Sequence, residues 1–269
     1  GTPLLSFCPA SFLEDKPLIY YLLPAYNEEA NIGRLVSKIG DTMRQLDEEY
    51  MIVVVDDGSR DHTVEVAESA EESAHIHVVK HDTNKGLHES LRTGIMTFLQ
   101  LPTSDDDVLV TMDADNTHEP STAPAMIQLV RDGYDVVVAS RYRPGSKEVG
   151  LSAGRRFMSR AVNLMLAALF RVKGVRDYTC GYRAYSRSAI ERAWRAFGDR
   201  LIESTTFSAT AEILLKMGKL GVRACEVPFV LRYDQKGGIS KMRVLATIFD
   251  YFRMMVRVYR SPVRTRAID

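Results

Sequence analysis

This 269-residue sequence predicts an α/β fold built on a doubly wound, mostly parallel sheet with flanking helices. Three observations carry the expectation. Short apolar runs alternate with stretches of helical spacing, the pattern of strand–helix units whose strands are buried on both faces. Each run stops at a polar loop rich in Asp, Asn or Gly. One run, Val108-Leu109-Val110-Thr111-Met112, delivers two carboxylates, Asp113 and Asp115, to its own C-terminal end. In an open α/β sheet that edge is where ligands bind.

The elements follow in order. Residues 1–16 are aperiodic and expected as a flexible N-terminal tail. Residues 18–23 form an unbroken apolar run closed by Pro24, and Ile32, Leu35, Val36 and Ile39 then recur at helical spacing. The unit repeats with a strand over 51–55, the loop Asp56-Asp57-Gly58-Ser59-Arg60-Asp61 and a helix over 63–72. A third strand over 76–79 ends at His81-Asp82-Thr83-Asn84-Lys85-Gly86 before a helical stretch to Gln100. The Asp113 strand, a helix over 120–132 and a fifth strand over 135–139 complete the alternation.

Beyond Arg141 the character changes. Residues 154–173 read as a helix carrying Arg155, Arg156, Arg160, Arg171 and Lys173 with no acid, interleaved with Phe157, Met158, Leu164, Leu169 and Phe170. From Lys241 to the end, seven Lys or Arg face only Asp250 and Asp269. The expected organisation is a tail over 1–16, a catalytic domain over 17–240 and a basic amphipathic segment over 241–269. Such basic, apolar stretches suit an anionic membrane surface, and equally an ordinary amphipathic helix with a solvated basic face.

Thirty-five basic and thirty-five acidic residues cancel, which argues against nucleic-acid binding. Cys8, Cys180 and Cys225 are odd in number and lack a CxxC spacing, so neither a disulfide framework nor a zinc site is expected, and a reducing cytoplasmic compartment fits. No basic-then-apolar secretory start is found, and no apolar run approaches the roughly 18 residues that span a bilayer. The expected location is cytoplasmic, peripheral on the cytoplasmic face of a membrane.

Three strand-end loops converge if the sheet is parallel. Pro24-Ala25-Tyr26-Asn27-Glu28-Glu29 brings an aromatic ring and two acids. Asp56-Asp57-Gly58 brings carboxylates on a tight turn, with Asp61 or Thr63 able to cap the next helix. Asp113 and Asp115 bring the third acidic set. An isolated DxD is as often a polar turn as a cation site. Phosphate-binding glycine motifs, GxGxxG in the first loop and GxxxxGK[ST] anywhere, are missing, so dehydrogenase and P-loop chemistry lose their main support. An acidic nucleotide site without such a loop handles a diphosphate through a hard cation, Mg²⁺ or Mn²⁺, held by Asp113 and Asp115.

Pro24-Ala25-Tyr26-Asn27-Glu28, Val54-Val55-Asp56-Asp57-Gly58-Ser59, Asn84-Lys85-Gly86-Leu87, Met112-Asp113-Ala114-Asp115, Ser140-Arg141-Tyr142, the run from Asp177 through Thr179-Cys180-Gly181 to Tyr185, Glu226-Val227-Pro228 and Gly238-Ile239-Ser240-Lys241 stand in a telling order. It resembles that of family 2 glycosyltransferases of the GT-A fold, and most the dolichyl (polyprenyl) phosphate mannose synthase subgroup. The resemblance covers about residues 18–245. It implies an inverting, metal-dependent transfer of mannose or glucose from a GDP- or UDP-linked donor to a polyprenyl phosphate. It also implies that Pro24, Tyr26, Glu28 and Asp57 contact the nucleoside, that Asp113 and Ala114 lie against the ribose, and that Asp115 ligates the cation with Asp113 beside it. Arg141 would face the diphosphate or the acceptor phosphate, with Lys241 and Arg232 closing over the pyrophosphate. Departures from the pattern are His88-Glu89 after Gly86-Leu87, Thr117 in place of a metal-binding Gln, and a longer segment between Arg232 and Lys241.

A lipid monophosphate is already an anionic nucleophile, so it needs cations to position it and no general base; a hydroxyl acceptor would need a carboxylate base. Arg141, Arg155, Arg156 and Arg183 are therefore candidates, Arg155 and Arg156 being expected more as solvated or lipid-facing residues and Arg183 equally as a structural salt-bridge partner. His118 is expected as a hydrogen-bonded structural residue more than a metal ligand. Asp177 is expected to fix the turn over 179–181. The remaining alternatives are a GT-A enzyme with a hydroxyl acceptor, a sugar-1-phosphate nucleotidyltransferase, which normally carries an Arg- and Gly-rich loop absent here, and a non-catalytic nucleotide or lipid-surface binder. Whether a membrane subunit anchors the enzyme stays open.

Overall fold

A computed structural model describes residues 17–70, 75–101, 104–235 and 244–263, the side chains of 244–248 excepted. The expected tail, Lys241 and the end of the basic segment lie outside these residues. Four strands are buried along nearly their whole length, as unbroken apolar runs require: β1 (Ile19–Ala25), β2 (Tyr50–Asp56), β4 (Val108–Thr111) and β5 (Val136–Ser140). β3 (Ile76–Lys80) is half-buried at the sheet edge. Two strands that the alternation does not predict, β7 (Arg183–Ser186) and β8 (Ala224–Pro228), join them in one sheet of order β3-β2-β1-β4-β7-β5-β8. β6 (Lys147–Val149) pairs in parallel with β9 (Val230–Arg232) as a separate ribbon.

All pairings of the main sheet are parallel except those of β7, which runs antiparallel to both β4 and β5. Its four residues offer no apolar run, and the first is an arginine. Arg183 is nevertheless fully buried because its guanidinium donates to the carbonyls of Tyr178 (2.7 Å) and Thr210. A buried polar group is tolerated only when so bonded, which is why a charge can begin a central strand. β8 likewise buries Glu226, whose Oε1 accepts the amides of Arg176 (2.6 Å) and Asp177 (2.7 Å).

The helices are α1 (Ile32–Leu46), α2 (Thr63–Ser69), α3 (Leu87–Gln100), α4 (Ala123–Arg131), α5 (Ala153–Phe170), α6 (Arg187–Phe197), α7 (Ala209–Lys219) and α8 (Val244–Arg260). α1 buries Ile32, Leu35, Val36, Ile39 and Met43, the stripe its spacing predicts. It runs on past the expected end to Leu46, where Asp47 closes it in the left-handed region. α5 stops three residues short of the expected Lys173, because Arg171 turns left-handed (φ 44°). No helix of the described residues is long and apolar enough to cross a membrane.

Strand order reverses between β1 and β4, which places a crevice between the loops that follow them. The loops after β1, β2 and β4 open on this same edge. Because β7 is antiparallel, it starts there too, and the turn over 179–181 enters the crevice from the opposite side.

Candidate active site

The loops after β1 and β2 are sewn into one platform. The Asn27 amide donates to Ser59 Oγ (2.9 Å), the Arg60 amide to Asn27 Oδ1 (2.8 Å), and the Glu28 amide to Thr63 Oγ1 (2.8 Å). Asn27 sits at φ 52°, a conformation that Asn tolerates better than most residues. Pro24, Tyr26 and Glu28 are half-buried along this platform, and Glu28 Oε2 accepts from Asn31 Nδ2 at 2.8 Å.

Asp57, buried at the end of β2, is held on three sides. It accepts the amides of Lys85 (2.9 Å) and Gly86 (2.7 Å), and its Oδ1 lies 2.8 Å from His81 Nδ1, whose Nε2 meets Thr93 Oγ1 at 2.9 Å. Sequence reading missed His81; its only signal was its place just after the third strand. Gly58 (φ 70°) completes the turn, and a Cβ there would come within 2.6 Å of the Thr83 carbonyl carbon. Gly58→Ala is therefore expected to cost about 1–3 kcal/mol, combining left-handed strain with a clash against backbone. Chemical denaturation checks the loss.

The acid pair divides by environment. Asp113 has a half-exposed side chain (49%), and a Cβ on Gly181 would lie 3.3 Å from its Oδ1. Ala114 and Asp115 are buried, and Asp115 Oδ1 accepts from the Thr117 amide (3.2 Å) and hydroxyl (2.6 Å). Thr117 thus braces the carboxylate. Asn116, between them, takes φ 61° and donates from Nδ2 to the Asn31 carbonyl (2.9 Å), tying the acid loop to the start of α1. His118 is buried and stacked on Tyr182 with ring centroids 5.2 Å apart, its Nδ1 accepting the Asp113 amide at 3.3 Å.

Two carboxylates and a hydroxyl are an oxygen donor set, which suits Mg²⁺ or Mn²⁺. The described residues hold no cluster of three or more His, Cys, Asp or Glu able to cage a metal, so a cation here would draw its other ligands from diphosphate and water.

Arg141 follows β5 and is almost buried. Its Nε and Nη2 grip both oxygens of Asp177 (2.8 and 2.6 Å), and Nη2 also reaches Thr179 Oγ1 (2.6 Å). Asp177 does fix the turn over 179–181, accepting the Cys180 amide at 3.1 Å, and orients Arg141 as well. Burial alone would raise the Asp177 carboxyl and lower the Arg141 guanidinium; their mutual attraction outweighs it, so Asp177 titrates below the usual carboxylate range and Arg141 above the usual arginine range. Burial pushes the Cys180 thiol up to about 12, which keeps it protonated and unreactive.

Of the remaining candidates, Arg155 stacks on Tyr233 and donates to its hydroxyl, and Arg156 is half-exposed on α5. The Arg232 amide donates to the Thr117 carbonyl (2.9 Å), so β9 borders the acid loop, while its guanidinium forms a two-pronged pair with Asp234. The strand-end carboxylates and Arg232 therefore share one edge of the sheet.

Comparison with known proteins bears on this arrangement. The profile of Glycosyl transferase family 2 matches residues 21–194, which contain all three acidic loops and the Arg141–Asp177 pair. A dolichol-phosphate mannosyltransferase of Pyrococcus furiosus is 30% identical over 240 residues, 89% of this chain and 63% of that protein. An undecaprenyl-phosphate mannosyltransferase of Micrococcus luteus is 32% identical over 222 residues, 82% of this chain and 86% of that one. The chain thus spans less than two thirds of the Pyrococcus relative. Glucosyl-3-phosphoglycerate synthase of Mycobacterium tuberculosis, solved with Mn²⁺, UDP and glucosyl-3-phosphoglycerate, superposes with a TM-score of 0.58 at 22% identity over 91% of this chain and 78% of its own, a likeness of fold. The sheet with its one reversed strand is that of the GT-A glycosyltransferases, and with the family profile covering both flanks of the crevice the chain belongs to Glycosyl transferase family 2.

Proposed function

We propose that this chain transfers a hexose, mannose or glucose, from a GDP- or UDP-linked donor to a polyprenyl phosphate at the cytoplasmic face of a membrane, with inversion. One observation carries the lipid acceptor. Two helices near the Arg141–Asp177 pair both turn apolar side chains to solvent among arginines. α5 reaches it through Asn163, whose Nδ2 bonds Thr179 Oγ1 (3.0 Å) and the Tyr142 hydroxyl (3.1 Å); outward it shows Phe157, Leu164 and Leu169 beside Arg156 and Arg160. α8 buries Tyr251 within electrostatic range of the pair and shows Phe249, Phe252, Val256 and Tyr259 beside Arg253 and Arg260. Apolar side chains rimmed by arginine match the boundary between headgroups and acyl chains of an anionic bilayer. The names of both polyprenyl-linked relatives agree with this acceptor.

In this reading Pro24, Tyr26, Glu28 and Asp57 seat the nucleoside and Ala114 lines the ribose. Asp115 and Asp113 hold Mg²⁺ or Mn²⁺, which when bound offsets the charge of the nucleoside diphosphate leaving group. Asp177 occupies Nε and Nη2 of Arg141, so the phosphate is taken by the remaining edge, Nη1. The acceptor is held in line with the anomeric carbon and attacks as its own anion, without a general base. Lys241 and Arg232 supply further positive charge to the diphosphate.

The test is to incubate the protein with Mn²⁺ or Mg²⁺, labelled GDP- and UDP-hexoses and a polyprenyl phosphate, then extract with organic solvent. Label entering the organic phase with one donor is expected; label that stays aqueous with every donor overturns the lipid acceptor, and label on an added soluble glycan points to the hydroxyl-acceptor alternative. Docking has its own check. Phe249→Ser with Phe252→Ser is expected to weaken sedimentation with phosphatidylglycerol vesicles by at least about tenfold, since each buried phenylalanine contributes roughly 1.5–3 kcal/mol.

A further inference from the structure

α8 does more than face outward. Its inner side carries, besides Met254, Met255 and Val258, three polar side chains: Asp250, Tyr251 and Arg257. Asp250 and Arg257 lie seven residues apart on one helical face, and both engage the segment 203–210 that leads into α7. Asp250 Oδ2 accepts the hydroxyls of Thr206 (2.7 Å) and Ser208. Arg257 Nη1 lies 3.5 Å from Ser204 Oγ and 3.7 Å from Glu212 Oε1. Fully buried Glu212 in turn accepts the amides of Glu203 (2.9 Å) and Ser204 (2.7 Å) and pairs with buried Lys216 (2.7 Å).

The other side of segment 203–210 borders the site. A Cβ on Gly86, whose amide holds Asp57, would lie 3.7 Å from the Thr205 carbonyl oxygen. A Cβ on Gly181 would lie 3.5 Å from Thr210 Cγ2 and 3.3 Å from Asp113 Oδ1. The segment therefore runs from the Asp57 loop to the exposed acid of the pair. Tyr251 adds a third link. Its phenol is pushed up first by burial, and it lies near enough to Arg141, Arg183 and Asp177 to feel their charges.

From this arrangement we infer that α8 is a working part of the transfer site: Asp250 and Arg257 are positioning residues that hold segment 203–210 as the wall between the nucleoside loop and Asp113, on the side where the acceptor enters. The hydroxyls of Thr206 and Ser208 are the grip, and the outward apolar stripe of the same helix connects that wall to whatever surface α8 rests on. The inference rests on the sugar-transfer reading above, with the acceptor phosphate approaching between Arg141 and Asp113.

The test combines kinetics with hydrogen exchange. Asp250→Ala is expected to raise the KM for polyprenyl phosphate about tenfold, with kcat and the donor KM changed by less than about threefold. Asp250→Asn, which keeps an oxygen acceptor, recovers most of the loss. Thr206→Val with Ser208→Ala removes the same bonds from the other side and reproduces the Asp250→Ala effect, which covers the case in which that variant folds poorly. Backbone amides of 203–210 exchange faster in Asp250→Ala while those of 213–217 do not change. An unchanged acceptor KM together with unchanged exchange at 203–210 overturns the inference, as does a loss spread equally over kcat and both KM values. Should wild-type protein transfer no sugar to any polyprenyl phosphate, the proposed function fails, and the exchange arm alone decides whether α8 holds the wall.

Discussion

Asp115→Ala is expected to lower the second-order rate of sugar transfer by about 10²–10³-fold, roughly 3–4 kcal/mol of transition-state stabilisation. The side chain lies at the crevice floor, braced by two bonds from Thr117, so nothing nearby replaces it without moving the loop. Asp113→Ala should do less, because its side chain is half-exposed and water can enter in its place. Titration of free Mn²⁺ by electron paramagnetic resonance, in the presence of a nucleoside diphosphate, separates the two readings of the pair. Weakened Mn²⁺ binding in Asp115→Ala is expected. Wild-type Mn²⁺ affinity and wild-type turnover in that variant would show that the cation does not sit there. Thr117→Val should fall between, by about 10–100-fold, the usual cost of losing a group that orients a ligand.

Asp177→Ala is expected to destabilise the protein by about 3–5 kcal/mol, the largest effect on stability among these substitutions. The carboxylate is fully buried and bonds both the side chain and the amide of Arg141; removing it leaves a nearly buried guanidinium without its counter-charge. The thermal unfolding midpoint should fall by roughly 6–20 °C for a chain of this size. Activity should fall with it, since Arg141 loses the fork that orients it. The pH dependence has a definite sign. Asp177 titrates below its unfolded value, so its contribution is complete above about pH 4 and is lost as pH falls through the lower, folded pKa. Wild-type stability should therefore decline in that acid range, and Asp177→Asn, which cannot ionise, should show a shallower decline measured by denaturant titration at successive pH values. Equal slopes would place the acid sensitivity elsewhere.

Much of this molecule was legible from its sequence. The five strands of the alternating half, the loops at 24–29 and 56–63, and the acid pair at the end of β4 follow from local rules. An unbroken apolar run must be buried, a helical stripe must face it, and in a parallel sheet the following loops must share an edge. Glu28, Asp57, Asp113 and Asp115 could therefore be placed near one another without coordinates. β7 and β8 could not, because each is short and buries a charge, Arg183 or Glu226, that a pattern of apolar residues counts against a strand. Only the fold showed that backbone carbonyls accept from Nη1 and Nη2 of Arg183 and that backbone amides donate to Oε1 of Glu226.

The pairings around Arg141 and α8 also needed the tertiary structure. Arg141 and Asp177 are 36 residues apart, and the Asp250 bonds to Thr206 and Ser208 join α8 to a loop 44 and 42 residues earlier. Ion pairs and hydrogen bonds between separate elements depend on how loops close and strands are ordered, and no local period encodes either. Secondary structure at the crevice was decided by composition along the chain. The partners of Arg141, the brace on Asp115 and the inward role of α8 were decided by which buried polar groups had to find one another once the sheet had formed.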